Sequence, residues 1–303
     1  MDNRAVLKSP PLLPVLALVF NALVWGASWW PFRQLEAHGL HPLWATALVF
    51  LLAVVAIGVV RPRAFVQVAT MPTLWILMLA AGCTNAAFNW GVVVGDVVRV
   101  VLLFYLMPLW TVLLARFILH EALTPSAGIR VVCAIAGAAI VLWPEGRGLS
   151  MDTLPMPSAL PDWLGLAGGF SFSLNNVMLR REAARPEEGR ALAMFLGGAL
   201  VSAALASVLS SKGLAPWPPP LSGAWAVIAL VLAGLFIFSN LSLQFGAARL
   251  PANVTSVVML CEVVFASASA IALGAGQMTA PLAMGGGLII GAALLAASGS
   301  SHS

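Results

Sequence analysis

Ten stretches of this chain are each apolar over about the twenty residues a helix needs to cross the hydrocarbon of a bilayer, with little sequence between them. They fall near 12–33, 42–60, 72–92, 97–119 and 126–143, and then near 162–181, 189–210, 222–246, 250–274 and 280–298. Lipid offers no partner to a backbone N–H or C=O, so runs of this length and polarity select helices whose hydrogen bonds close within the segment. Composition agrees, because 61% of the 303 residues are hydrophobic and 9% are charged, where soluble domains carry roughly 25%. A chain of this kind has too little polar surface to stand in water. Arg4 and Lys8 precede the first run, but that run is longer than the apolar core of a signal peptide and holds Pro31 and several tryptophans, so it reads as a retained first helix.

Charge gives the runs a direction. Basic residues collect near span ends on the cytoplasmic side of a membrane. With the N-terminus inside, the inner ends hold Arg4, Lys8, Arg61, Arg63, Arg116, Arg130, Arg180, Arg181, Arg185, Arg190 and Arg249, against Arg33, Arg99, Arg147 and Lys212 outside. Eleven against four favours two cytoplasmic termini and an even number of spans, and removing one span would scramble the division.

The longest break, residues 144–161, is rich in Pro and Gly and divides the spans five and five. Laid over each other at a shift of about 150 residues, the two sets share features in the same order. Trp25 to Ser28 overlays Phe172 to Asn175, Asn85 and Gly91 overlay Asn240 and Gly246, and Leu103 to Trp110 overlays Val258 to Phe265. Five is odd, so related halves in one membrane are inverted, an arrangement suited to alternating access around a site at mid-depth. The expected fold is an all-α membrane protein of ten transmembrane helices in two inverted five-helix repeats. Residues 1–143 form the first repeat, 144–161 an extracytoplasmic linker and 162–298 the second repeat, with 299–303 a tail.

On these residues the chain resembles the ten-helix EamA-type branch of the drug/metabolite transporter superfamily. The likeness covers nearly the whole chain and is carried by the Trp-Gly-Ala-Ser element at 25–28, the fourth-span run from Leu102 to Glu121, the Arg180-Arg181 pair and the acid-containing ninth span. Within it, Tyr105-Leu106-Met107-Pro108 and the long loop before the sixth span are similar to exporters of the YddG type. The resemblance implies a carrier in the bacterial inner membrane that exports neutral, especially aromatic, amino acids, with a broad drug or metabolite exporter as the alternative and proton coupling open. The family often places Glu-Pro in the ninth span, whereas Val263 follows Glu262 here, which implies a helix that bends less at that point.

Candidate site residues follow from the cost of polar groups in hydrocarbon, which confines them to pathways and helix contacts. Glu262 is the charged residue placed deepest in a span, a counter-ion for a substrate ammonium group, a coupling site, or a protonated carboxyl bonded to a neighbouring helix. Pro108, near the middle of the fourth span, removes a helical hydrogen bond and is expected to kink it beside the pathway, or merely for packing. Among the amides, Asn85 and Asn240 are preferred as repeat partners, followed by Asn175; interhelical bonding is the commoner use of such groups. Ser28 is weaker, since its hydroxyl can bond its own backbone. Tyr105, the sole tyrosine, together with Phe172 and Met107, is expected beside a cavity. Trp30, Trp143, Trp163, Trp217 and Trp225 read as an interfacial belt.

Other functions fit poorly. The cysteines Cys83, Cys133 and Cys261 and the four histidines show no metal-ligand spacing, and no Gly-x-Ser-x-Gly element is present, so neither an enzyme nor a cofactor is expected. Basic residues stand singly between apolar runs, which argues against nucleic acid. The expected partners are a small-molecule substrate and the lipid bilayer, with the monomer as the working unit.

Overall fold

The computed structural model describes residues 12–120, 125–141, 157–182, 184–247, 249, 258–259 and 261–299. The basic residues at 4 and 8, the linker up to residue 156, the start of the ninth run at 250–257 and the tail from residue 300 lie outside them. All regular structure among the described residues is helical. The helices are α1 (Leu12–Ala27), α2 (Trp29–Ala37), α3 (Pro42–Val60), α4 (Arg63–Thr70), α5 (Pro72–Val94), α6 (Val97–Phe104), α7 (Met107–Ile118), α8 (Pro125–Val141), α9 (Leu160–Arg181), α10 (Glu187–Ser211), α11 (Gly223–Ala247), α12 (Cys261–Ala272) and α13 (Ala280–Gly299).

Local chemistry sets several of these ends. Pro42 opens α3 behind His41, whose ring nitrogen accepts the Leu43 N–H at 3.3 Å. Burial holds the His41 ring below its ordinary pKa, which keeps that acceptor free at neutral pH. Asp96 caps α6 by accepting the Arg99 N–H at 2.9 Å, and Pro72 opens α5, which ends at extended Gly95. The short amphipathic helix α4 lies between the second and third apolar runs; at eight residues it is too short to register as one of them. It turns Ala64 and Val68 inward and leaves Phe65 and Val66 exposed.

Among the described residues, six helical segments are long and apolar enough to cross a membrane: Leu12–Ala37, Pro42–Val60, Pro72–Val94, Val97–Ile118, Glu187–Ser211 and Gly223–Leu243. Leu51, Val55, Leu79, Leu230 and Phe238 on them are exposed, as side chains facing lipid are. The 22-residue α9 is outside that group, since it carries Asp162, Ser171, Ser173, Asn175, Arg180 and Arg181. Its polarity is accommodated by protein, because α5, α6 and α7 surround it and Asp162, Ser173 and Asn175 are buried among them.

The helices after α8 pack mainly on those before it: α9 on α5, α6 and α7, α10 on α5 and α3, α11 on α1 and α3, α12 on α1 and α6, and α13 on α8. Glycine allows the closest of these crossings. A methyl added at Gly82 of α5 would stand 2.5 Å from the Gly197 carbonyl of α10, and one added at Gly137 of α8 would stand 2.6 Å from the Gly285 carbonyl of α13. Small residues at such points let backbones approach where no hydrophobic drive operates.

Candidate functional site

The fourth apolar run is two helices. α6 stops at Phe104, Tyr105 and Leu106 form a turn, and α7 restarts at Met107 with Pro108 in its first turn. The interruption therefore precedes the proline, whose fixed φ and missing N–H suit a helix start. It is set against α9, where the Phe104 backbone is packed so tightly on Gly169 that no side chain fits. The Ser173 hydroxyl donates to the carbonyl of Met107 at 3.1 Å and to that of Gly169 at 2.9 Å. Backbone acceptors at the broken segment are thus answered by a neighbouring helix, the usual condition for irregular backbone at membrane depth.

Tyr105, in that turn, is buried, and its hydroxyl donates to the carboxyl of Glu262 in the first turn of α12. Around the pair stand aromatic rings, with Phe104 4.9 Å from Phe88 and 5.3 Å from Phe172 between centroids. Met107 and Phe172 pack against the same apolar cluster, which also contains Trp29, Leu106, Val263 and Ala266. Four of the expected residues, Glu262, Tyr105, Met107 and Phe172, therefore converge where α6, α7, α9 and α12 meet. A half-buried carboxyl held by one phenol in an aromatic surround can form a charge-assisted bond to an ammonium group.

The other candidates lie on α5, α9 and α11 and in the turn between α1 and α2. The Asn85 amide donates to the Ala81 carbonyl of its own helix at 2.8 Å, and the Ser28 hydroxyl donates to the Trp25 carbonyl at 2.8 Å. Asn175 is 2% exposed, and its side-chain oxygen has no donor among the described residues. Asn240 is half-buried on α11. Of the tryptophans assigned to the interfacial belt, Trp30, Trp163 and Trp217 are exposed and Trp143 lies outside the described residues. Trp225, near the start of α11, is buried in protein, and its indole N–H donates to the Pro220 carbonyl at 3.1 Å.

Three interactions were not foreseen. Asn21 of α1 donates to the Ser239 hydroxyl of α11 at 2.6 Å and to its carbonyl at 2.9 Å. Arg33 ties α2 to the end of α5 through the carbonyls of Val92 at 3.1 Å and Gly95 at 2.7 Å. Arg99 of α6 forks onto the buried carboxylate of Asp162 on α9 at 2.6 and 3.0 Å, and reaches the Val141 carbonyl at 2.8 Å. Arg99 is legible in the sequence as a charge at an outer span end, but pairing it with a carboxylate 63 residues away needs the fold. The opposite end has its own network, in which Thr73 donates to buried Glu182 at 2.9 Å and Arg185 pairs with the same carboxylate at 3.3 Å. Arg99→Ala would leave Asp162 without its cation; the expected loss is about 3 kcal/mol of stability, read as a lower unfolding temperature and partly restored by adding Asp162→Asn. An unchanged melt in Arg99→Ala would mean the pair contributes nothing.

Comparison with known proteins adds family information for the first half. Residues 12–143 match the EamA-like transporter family, which supports a multi-pass membrane transporter of the drug/metabolite transporter superfamily. No curated protein matches the chain. Among solved structures, one described only as a crystal structure of a protein is similar, with a TM-score of 0.59 at 20% identity over 93% of this chain and 96% of that one. That likeness concerns the fold.

Proposed function

We propose that this chain is a ten-span carrier of two inverted five-helix repeats, with both termini in the cytoplasm of a bacterium, that exports neutral and especially aromatic amino acids across the inner membrane. The observation that carries the substrate class is the Tyr105–Glu262 hydrogen bond. It puts one carboxyl among aromatic rings at the junction of a broken span with the acid-bearing ninth run, where an ammonium group and an aromatic side chain would both find partners. Asn175 contributes a carbonyl with no donor among the described residues, and Asn85, Asn240 and Ser28 complete the proposed polar lining.

The repeat has support in matched contacts. Gly26 of α1 lies against the Glu262 carbonyl, and its overlay partner Ser173 bonds the carbonyl of Met107, the overlay partner of Glu262. Gly246 lies against the Pro14 carbonyl, while its partner Gly91 lies against Pro161, the same interval along the chain from Pro14 as Ser173 is from Gly26. Helix pairs obey the same exchange, α1 with α11 and α12 answering α9 with α5, α6 and α7. A pseudo-twofold axis generates such pairs without further assumption, and the carrier would work by rocking one half against the other.

The test is reconstitution into liposomes loaded with radiolabelled phenylalanine, leucine or alanine, with and without a pH gradient. Efflux of phenylalanine and leucine above that from empty liposomes is the expected result. Efflux of unrelated organic cations with none of amino acids would replace this reading with a broad exporter. In the same assay Tyr105→Ala is expected to cut the preference for phenylalanine over alanine by about tenfold, as a lost aromatic contact and a loosened Glu262 would do. An unchanged ranking would take Tyr105 out of the site.

A further inference from the structure

A cavity of about 340 Å³ opens at the end of the bundle where α6 begins, α8 ends and α12 turns into α13. Its size falls at the small end of ligand pockets, roughly 300–1,000 Å³. Asp96, Arg99, Gln277 and Thr279 line it together with Gly274 to Gly276 and Val141. Opposite charges therefore face one small space. The carboxylate of Asp96 accepts the N–H of Arg99 on one oxygen and the N–H of Gln277 on the other, at 2.9 and 3.3 Å, which among the described residues leaves about two of its four lone-pair sites free. Arg99 spends three N–H groups on Asp162 and the Val141 carbonyl, leaving about two of its five among the described residues.

We propose that this cavity is a second binding site for the transported amino acid, with Asp96 taking its ammonium group and the remaining N–H edge of Arg99 taking its carboxylate. The proposal rests on the transport reading and adds a station to the pathway. Asp96 and Tyr105 stand at opposite ends of α6, about 13 Å apart at a helical rise of 1.5 Å per residue. That distance separates two molecules yet leaves one half-helix touching both sites. The loop after α12 is bound to the start of α6 by the Ala275 carbonyl, which accepts the Val97 N–H at 3.5 Å, and by Gln277 on Asp96. A ligand that competes for Asp96 therefore acts on the element that carries Glu262.

Purified full-length protein in detergent, titrated with radiolabelled phenylalanine by equilibrium dialysis, tests this. Two sites per chain are expected. Asp96→Asn keeps an acceptor to cap α6, so its melting temperature should match wild type while the cavity site weakens about tenfold or more. Glu262→Gln should remove the other site and leave this one. Phenethylamine and 3-phenylpropionate, each lacking one charge, should fail to compete at the cavity. One site per chain, unaffected by Asp96→Asn and lost in Glu262→Gln, would overturn this proposal and leave the transport reading standing. Competition by phosphoethanolamine with none by phenylalanine would assign the cavity to a lipid headgroup and overturn it too. Absence of both binding and efflux of amino acids in wild type would end both readings.

Discussion

Glu262→Gln is expected to lower efflux of phenylalanine and leucine from proteoliposomes by about tenfold or more, with helical content and melting temperature near wild type. The substitution keeps shape and an acceptor for the Tyr105 hydroxyl, so the bond between α6 and α12 survives, and it removes only the charge available to a substrate ammonium group. Two roles for the carboxyl are thereby separated. If the carboxyl served merely to join helices, glutamine would serve as well and efflux would continue at the wild-type rate. A carrier in which Glu262 also handles a proton would further lose its response to an imposed pH gradient, whereas an uncoupled carrier has no such response to lose.

The largest effect on stability is expected from one methyl group. At Gly197 of α10 an added Cβ would fall on the Met78 carbonyl of α5, and neither partner is the movable end of a side chain. Gly197→Ala should cost about 3 kcal/mol or prevent folding, since backbones rather than rotamers must shift. Gly234 of α11 is the control, because a Cβ there meets nothing within 4 Å. Gly234→Ala should instead gain up to about 1 kcal/mol from helix propensity. Melting of the two purified variants beside wild type decides the matter; equal melts would show that α5 and α10 can separate freely.

The contrast between these glycines also shows which parts of the fold could be read from the chain. Pro42 and Arg61 bracket α3 in the sequence and in the structure, because a proline start and a charged stop act locally. The amphipathic α4 escaped notice, being one short helix between longer signals. Pro108 marked the break in the fourth run but not its position, since a proline that disfavours the helix before it is itself a good helix start. At the site, Tyr105 and Glu262 stood out through rarity and depth, and the fold joins them. Asn21 did not, for a lone amide in an apolar run looks alike whether it faces lipid, substrate or, as here, Ser239 218 residues away. Arg99 and Asp162 were visible as charges and invisible as a pair.

The reciprocal packing of early helices on late ones has a consequence during synthesis. When α1 to α8 have left the ribosome, the surfaces that will receive α9 to α13 are bare, and Arg33, Asn21 and Arg99 sit in or beside the bilayer, Asn21 and Arg99 without the side chains that later answer them. A nascent chain of that length is a set of inserted helices still awaiting its other half. Severed near the middle, the protein should therefore be recovered only when both fragments are made in the same cell.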